Sequence, residues 1–120
     1  MHIRGKAECL EAIYPTGKRE TLTCAKFEFN WMRNYVYATD AAPLLPAGTV
    51  LHNTIWHDNS DENRVNPDPD AQITGGSRTV DEMGHAYLNM YYMSDEDFKK
   101  ETEARKAKQK TLTSTLTNTQ

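Results

Sequence analysis

Met83, His85 and Tyr87 stand at alternate positions in Asp81-Glu82-Met83-Gly84-His85-Ala86-Tyr87-Leu88-Asn89-Met90-Tyr91-Tyr92-Met93, downstream of the Gly75-Gly76 turn. Side chains of an extended strand alternate between two faces. Met83, His85, Tyr87, Asn89 and Tyr91 then share one face, and Gly84, Ala86, Leu88, Met90 and Tyr92 share the other. The second row is small or apolar and suits a core. The first sets a thioether beside an imidazole and a phenol. Thioether sulfur suits Cu(I) and imidazole suits either oxidation state of copper, so Met83 and His85 are a candidate ligand pair. The structural alternative is that Met and Tyr fill a β-sandwich core, Met being a common gap-filler, with His85 at the surface.

A chain of 120 residues corresponds to one domain with a modest core. Its net charge of −3 makes no case for nucleic-acid binding. No stretch is long and apolar enough for a transmembrane helix. No secretory leader precedes the first strand-like segment. Cys9 and Cys24 are the only cysteines, and their spacing fits neither a CxxC redox pair nor a zinc site. Sequence alone leaves the compartment open.

The elements that must position the Met83 segment read as strands. Residues 3–13 and 19–29 flank Tyr14-Pro15-Thr16-Gly17-Lys18, whose proline and glycine mark a hairpin turn. Pairing Tyr14 with Arg19 sets Cys9 opposite Cys24, where they form either a cross-strand disulfide or two reduced thiols. Phe27-Glu28-Phe29-Asn30-Trp31 alternates like a half-buried strand, and Asn34 to Tyr37 continues extended. Pro43 to Gly48 is a loop, because its prolines exclude a central strand. From Thr49 to His57, Val50, His52, Thr54 and Trp56 alternate with Leu51, Asn53, Ile55 and His57. The polar stretch Asp58 to Asp70 is either a solvated loop of Asx-turns or an oxygen-rich site for a hard cation such as calcium.

Beyond residue 93 the composition changes, which divides the chain into 1–93 and 94–120. Ser94-Asp95-Glu96-Asp97 has the form of a capping box. Phe98 to Lys110 then reads as a charged helix without an apolar stripe, either solvated or docked on a partner. Thr111 to Gln120 is a Thr-rich tail expected to be disordered when free. Short strands, turn signals and one late helix predict an all-β antiparallel sandwich or barrel.

A set of motifs in order carries a family resemblance. His2-Ile3-Arg4-Gly5-Lys6 looks like the second half of H-x-H-x-x-G-K. Phe29-Asn30-Trp31, Leu45-Pro46-Ala47-Gly48-Thr49, His57-Asp58-Asn59-Ser60, Asn66-Pro67-Asp68-Pro69, Gly75-Gly76 and Asp81-Glu82-Met83 follow it. From residue 2 to about 93 the chain resembles the C-terminal domain of copper type II, ascorbate-dependent monooxygenases. These are the peptidylglycine α-hydroxylating and dopamine β-monooxygenases and their bacterial relatives, the last being most similar.

The resemblance implies an eight-stranded antiparallel jelly roll with copper held by the two histidines of H-x-H and the methionine of D-E-M. His2 matches the second histidine and Met83 the methionine. Two imidazoles and a weak thioether favour Cu(I) and leave a position for O₂. In peptide-hydroxylating members an Asn and a Tyr, two and four residues after that methionine, hold the substrate carboxylate. Tyr87 matches the tyrosine and is the expected catalytic and substrate-positioning residue, while His85 stands in place of the asparagine. His85 is therefore expected either to alter substrate recognition or to supply a metal-binding imidazole. Arg4 is expected near the metal, where it meets an anionic substrate or forms a salt bridge. His52 and His57 match no ligand of the family and read as structural; Trp31 and Trp56 read as packing.

The first histidine of H-x-H would lie one residue before Met1, and the family's electron-donating N-terminal domain has no counterpart here. These departures lead to the expectation of a fragment or truncated relative of a longer secreted protein, periplasmic or extracellular by resemblance and inactive alone. The expected reaction is C–H hydroxylation of a small molecule or peptide with a reductant such as ascorbate. The alternative is a non-catalytic β-sandwich subunit that docks into a larger assembly through its C-terminal helix.

Overall fold

The turn at Tyr14–Lys18 closes as its residues require. The Gly17 N–H donates to the Tyr14 carbonyl (2.8 Å) and the Tyr14 N–H to the Lys18 carbonyl (2.9 Å). Gly17 adopts a φ of +83°, a conformation glycine reaches without a Cβ clash. The computed structural model describes residues 1–117. The turn joins β1 (Gly5–Ile13) to β2 (Arg19–Lys26); β3 (Val50–His57) and one helix, α1 (Asp95–Thr117), follow. The strands form one antiparallel sheet in the order β2-β1-β3. No helix among the described residues is long and apolar enough to cross a membrane.

The hairpin register departs from the simple one at the turn. Ile13, not Tyr14, opposes Arg19, and pairing then runs Ala12 with Glu20 and Glu11 with Thr21. An irregularity between Leu10 and Glu11 follows, after which Leu10 opposes Thr23 and Cys9 opposes Cys24. Leu22 is thus the extra residue of a β-bulge, and the bulge cancels the one-residue offset set by the turn. Cys9 and Cys24 form a disulfide across the strands with Cα atoms 4.1 Å apart, close to the spacing of a non-hydrogen-bonded antiparallel pair.

The expected jelly roll is not what the chain forms. Among the described residues there are three strands and one helix, too few strands for two packed sheets. Three segments account for the difference. After β2, the Phe27 N–H still donates to the Lys6 carbonyl (2.8 Å), but a turn then closes from Trp31 N–H to Glu28 carbonyl (3.0 Å) and leaves Trp31 exposed. Asn34 to Tyr37 belongs to no strand. The Met83–Met93 stretch is not a strand either; an isolated bridge between Gly75 and Glu82 lies at its edge. Alternation shows which side chains would share a face, but a strand also needs a neighbour to take its N–H and C=O groups.

The chain divides into two compact units, Met1–Tyr35 with Ala47–Leu88, and Val36–Pro46 with Asn89–Gln120. In the first, the covered sheet face carries Leu10 and Ala12, the buried apolar residues of the core, with half-buried Leu51 and Ile55. Register places Ala7 with Trp56, Cys9 with Thr54, Glu11 with His52 and Ile13 with Val50 on the opposite face. That face is open: Val50, Trp56 and Cys24 are exposed.

In the second unit, Ser94 caps the helix. Its Oγ accepts the Asp97 N–H (3.1 Å) and donates to the Asp97 carboxylate (2.7 Å). Asp95, Glu96 and Asp97 fill the first turn, where acidic residues suit the helix dipole. Arg105 is held by Glu101 (2.8 Å) and donates to the carbonyls of Thr39 and Ala42, while Lys108 pairs with Asp40 (2.7 Å). The Lys108 ammonium holds the Asp40 carboxyl below its usual value. The helix reaches Thr117, so the tail expected to be disordered is helical over 111–117; 118–120 lie outside the described residues.

Candidate functional site

The residues flanking the motifs expected to hold a metal lie in the first unit. His2 begins a turn whose end, the Gly5 N–H, donates to the His2 carbonyl (2.9 Å). This opening segment runs beside residues 79–81. The Ile3 N–H donates to the Thr79 carbonyl (3.4 Å), Arg4 Nη1 to the Val80 carbonyl, and His2 Nδ1–H to the Asp81 carbonyl (3.1 Å). A carbonyl can only accept, so this last bond fixes the proton on Nδ1 when the ring is neutral and leaves the Nε2 lone pair available. Met83, half-buried, follows Asp81 by two residues.

The Asp81-Glu82-Met83 segment is held from several sides. The Asp81 N–H donates to the Arg78 carbonyl (2.8 Å), the Gly76 N–H to the Glu82 carbonyl (3.2 Å) and the Glu82 N–H to the Thr74 carbonyl (3.2 Å). The Arg78 guanidinium grips the Asp81 carboxylate (2.7 Å), which also accepts the Arg78 N–H (3.0 Å). Hydrogen bonds from Arg78, side chain first, and the field of His2 lower the Asp81 pKa. Asn59 Nδ2 donates to Glu82 Oε1 (2.5 Å), and His57 Nδ1 stands 4.0 Å from Glu82 Oε2. Gly84 lies against Ile55 so closely that a Cβ there would strike the Ile55 side chain.

Arg4 is 2% exposed. Its guanidinium, expected to meet a substrate or form a salt bridge, is committed to the Asn66 side chain (2.7 Å, from Nε) and to Val80. Asn66 in turn donates to the carbonyls of Asn59 (2.9 Å) and Ser60 (3.3 Å). Lys6 donates to Asn63 (2.8 Å), whose amide donates to the Asp58 carbonyl (2.7 Å). The Asp58–Asp70 loop is thereby fastened to the start of β1. Asx-turns shape it, with Asp58 accepting from Ser60 and Asp68 from Asp70. The Ser60 hydroxyl and N–H, followed by Lys6, lower the Asp58 pKa.

His85 and Tyr87 are exposed, with ring centroids 6.0 Å apart and planes inclined by 29°. They stand together, as their i, i+2 spacing anticipates, but not on a paired strand, so the shared strand face invoked for Met83 and His85 does not exist. Tyr87 is 89% exposed. No group of three or more His, Cys, Asp or Glu residues able to hold a metal ion occurs among the described residues. A site here would have to draw on a thioether, as the donor set of His2 and Met83 does.

His57, Asn59 and Asn66 entered the sequence analysis only as members of motifs, and the contacts they make here were not legible there. The Asn-rich composition of 59–66 was the available signal, but its partners lie far along the chain.

The chain matches no protein-family model, and neither a curated protein nor a solved structure is significantly similar to it. The likeness to copper monooxygenases therefore rests on its ordered motifs alone.

Proposed function

We propose that the chain is a copper-binding domain of an ascorbate-dependent monooxygenase that hydroxylates C–H bonds, with His2 and Met83 as metal ligands. The observation that carries this is the 3.1 Å hydrogen bond from His2 Nδ1 to the Asp81 carbonyl. Metal-binding histidines characteristically donate the other ring N–H to a carbonyl or carboxylate, which fixes tautomer and orientation. Here the carbonyl belongs to the segment that carries Met83, so one hydrogen bond orients an imidazole and ties it to that segment. Copper bound there would supply one-electron chemistry for activating O₂, with ascorbate as reductant.

The chain's own residues have separable tasks in this proposal. Arg78 and Asp81 keep the methionine segment rigid, Arg4 anchors Val80, and exposed Tyr87 and His85 present a phenol and an imidazole to a substrate. The Cys9–Cys24 disulfide supports a periplasmic or extracellular setting, since such bonds persist in oxidising compartments. Anaerobic Cu(I) titration against a competing chelator tests the proposal. His2→Ala and Met83→Ala are each expected to weaken binding by more than about tenfold, the lower bound for losing an outer partner of a ligand.

A second function is favoured by a different observation. In the first unit Trp31, Met32, Tyr35, Tyr87 and Leu88 are exposed, while Leu10 and Ala12 are the buried apolar residues among the described ones. Exposed apolar surface of this kind suits a non-catalytic subunit that docks into a larger assembly. Equal, weak Cu(I) binding by wild type, His2→Ala and Met83→Ala would leave this function standing and remove the first.

A further inference from the structure

We propose that β3 is a dimerisation edge, at which two copies of this chain pair β3 with β3 in antiparallel fashion about a two-fold axis at Asn53. The sheet has two edges, β2 and β3, and they differ in kind. Proteins protect exposed edges with charges, prolines and bulges. The β2 edge has such protection: Arg19, Glu20 and Lys26 lie along it, and Leu22 bulges from its ladder. The β3 edge, Val-Leu-His-Asn-Thr-Ile-Trp-His, holds no Lys, Arg, Asp, Glu, Pro or Gly. Among the described residues, its main chain makes backbone hydrogen bonds to β1 and to no other element.

The phase of the ladder identifies the groups that face outward. Cys9 and Cys24 stand at the spacing of a non-hydrogen-bonded pair, and the Lys6 carbonyl accepts from Phe27 on the β2 side. Lys6, Glu8 and Leu10 therefore bond toward β2, and Cys9 bonds toward Thr54 of β3. Pairing with β1 runs without interruption from Val50 to Trp56, so alternation turns the N–H and C=O groups of Leu51, Asn53 and Ile55 to the free edge.

The occupant is a second copy because the strand complements itself. A two-fold axis normal to the sheet sets residues of the same face opposite one another. Centred on Asn53, it sets Val50 opposite the second copy's Trp56, Leu51 opposite its Ile55 and His52 opposite its Thr54. Apolar side chains meet on both faces, and no two charges are brought together. Centring on Thr54 would instead oppose Leu51 to His57 and His52 to Trp56. The β2 edge paired with itself end to end would set Arg19 against Lys26, a like-charge contact. Strand pairing alone buries less than the roughly 1,200 Å² of a lasting interface, so the dimer is a weak one that forms as concentration rises. Its apolar part is the covering of Trp56 and Val50, which are 47% and 58% exposed.

The test uses the full 120-residue chain, metal-free and with its disulfide intact. Sedimentation equilibrium from low to high micromolar concentration is expected to show a monomer–dimer transition. Val50→Lys combined with Trp56→Lys sets like charges across the axis and is expected to weaken association by at least about tenfold. Val50→Glu combined with Trp56→Lys sets opposite charges there and is expected to associate more tightly than the double-lysine variant. Within one chain these positions lie about 20 Å apart along the strand and do not pair. Both variants lose the same two side chains, so their difference reads the pairing itself. Amide exchange needs no variant: Leu51, Asn53 and Ile55 are expected to exchange more slowly as concentration rises, and Thr21 and Cys24 on the β2 edge are not. A chain that stays monomeric leaves the edge to some other extended partner and overturns the inference. Equal association by the two variants, or slowing at β2 instead of β3, overturns it as well. Cu(I) binding by His2→Ala and Met83→Ala bears on the copper proposal alone.

Discussion

Cys9 and Cys24 oppose each other because Leu22 bulges out of the ladder between them and the turn. The turn sets Ile13 against Arg19, and the bulge moves the ladder by one residue before it reaches the cysteines. Their bond spans a sequence separation of 15 residues. Closing a loop of that size restricts the unfolded chain and contributes about 3 kcal/mol. Reduction, or the double substitution of Cys9 and Cys24 by Ala, is expected to lower unfolding free energy by about that amount, read from urea unfolding curves. Deleting Leu22 is expected to leave the disulfide able to form, because it joins the two halves of the ladder without an offset. Free thiols in that variant under oxidising conditions would contradict the bulge assignment.

Arg4 has few alternatives to its present partners. It is buried, and it donates to the Asn66 side chain and the Val80 carbonyl. Arg4→Met keeps apolar bulk but leaves those acceptors without a charged donor, a loss of about 1.5–3 kcal/mol per hydrogen bond of this type. The lower end is expected where water reaches the exposed loop. Arg4→Lys should recover little, since an ammonium cannot copy the fork of a guanidinium. Thermal unfolding reads the stability. The Asp58–Asp70 loop should become more susceptible to proteolysis in both variants, because Arg4 holds Asn66, whose amide braces the loop internally through the carbonyls of Asn59 and Ser60.

Asp81 makes stability depend on pH in a defined direction. Hydrogen bonds from Arg78 lower its folded pKa. A carboxyl whose folded pKa lies below the unfolded one stabilises the fold at every pH above the unfolded value, about 3.9. That contribution is lost as pH falls through the lower folded value. The difference in urea midpoint between wild type and Asp81→Asn should therefore be constant from neutral pH down to about pH 5 and shrink below about pH 4. A difference that grows on acidification would exclude the Arg78–Asp81 pair as its source.

Local patterns were legible in the sequence where their physics is local. Pro15 and Gly17 fixed the position of the first turn, and the spacing of Ser94 and Asp97 located the start of the helix. The alternation of residues 50–57 matches β3, with Val50, His52 and Trp56 on the open face. What alternation cannot supply is a neighbour. Phe27 to Trp31 and Met83 to Tyr92 have strand-like patterns, yet the first turns at Glu28 and the second makes no ladder. The bulge at Leu22 has no signature, since no glycine marks it. For the site, motif order named His2 and the Asp81-Glu82-Met83 segment, and the His2–Asp81 hydrogen bond shows that the two segments are adjacent. The clasp of Glu82 by Asn59 and the isolation of His57 Nε2 depend on residues 23–25 positions apart in the chain, a distance no periodicity spans.

Gly84 offers the sharpest check on how the methionine segment is seated. A Cβ at this position would strike Ile55, chiefly at the far end of its side chain, which can rotate. The cost of Gly84→Ala is therefore expected near the lower end of the overpacking range, about 1 kcal/mol. Ile55→Val removes the methyl group nearest the clash, and alone it should cost about 0.5 kcal/mol or less, because Ile55 is only half-buried. Combined, the two substitutions should be less destabilising than their sum, since each relieves the other, giving a coupling of about 0.5 kcal/mol or more. The same pair bears on the metal. Lifting Gly84 from β3 moves Met83, so Gly84→Ala should weaken Cu(I) binding and Ile55→Val should restore it. Additive stabilities and unchanged Cu(I) affinity would mean that the segment is not seated against β3.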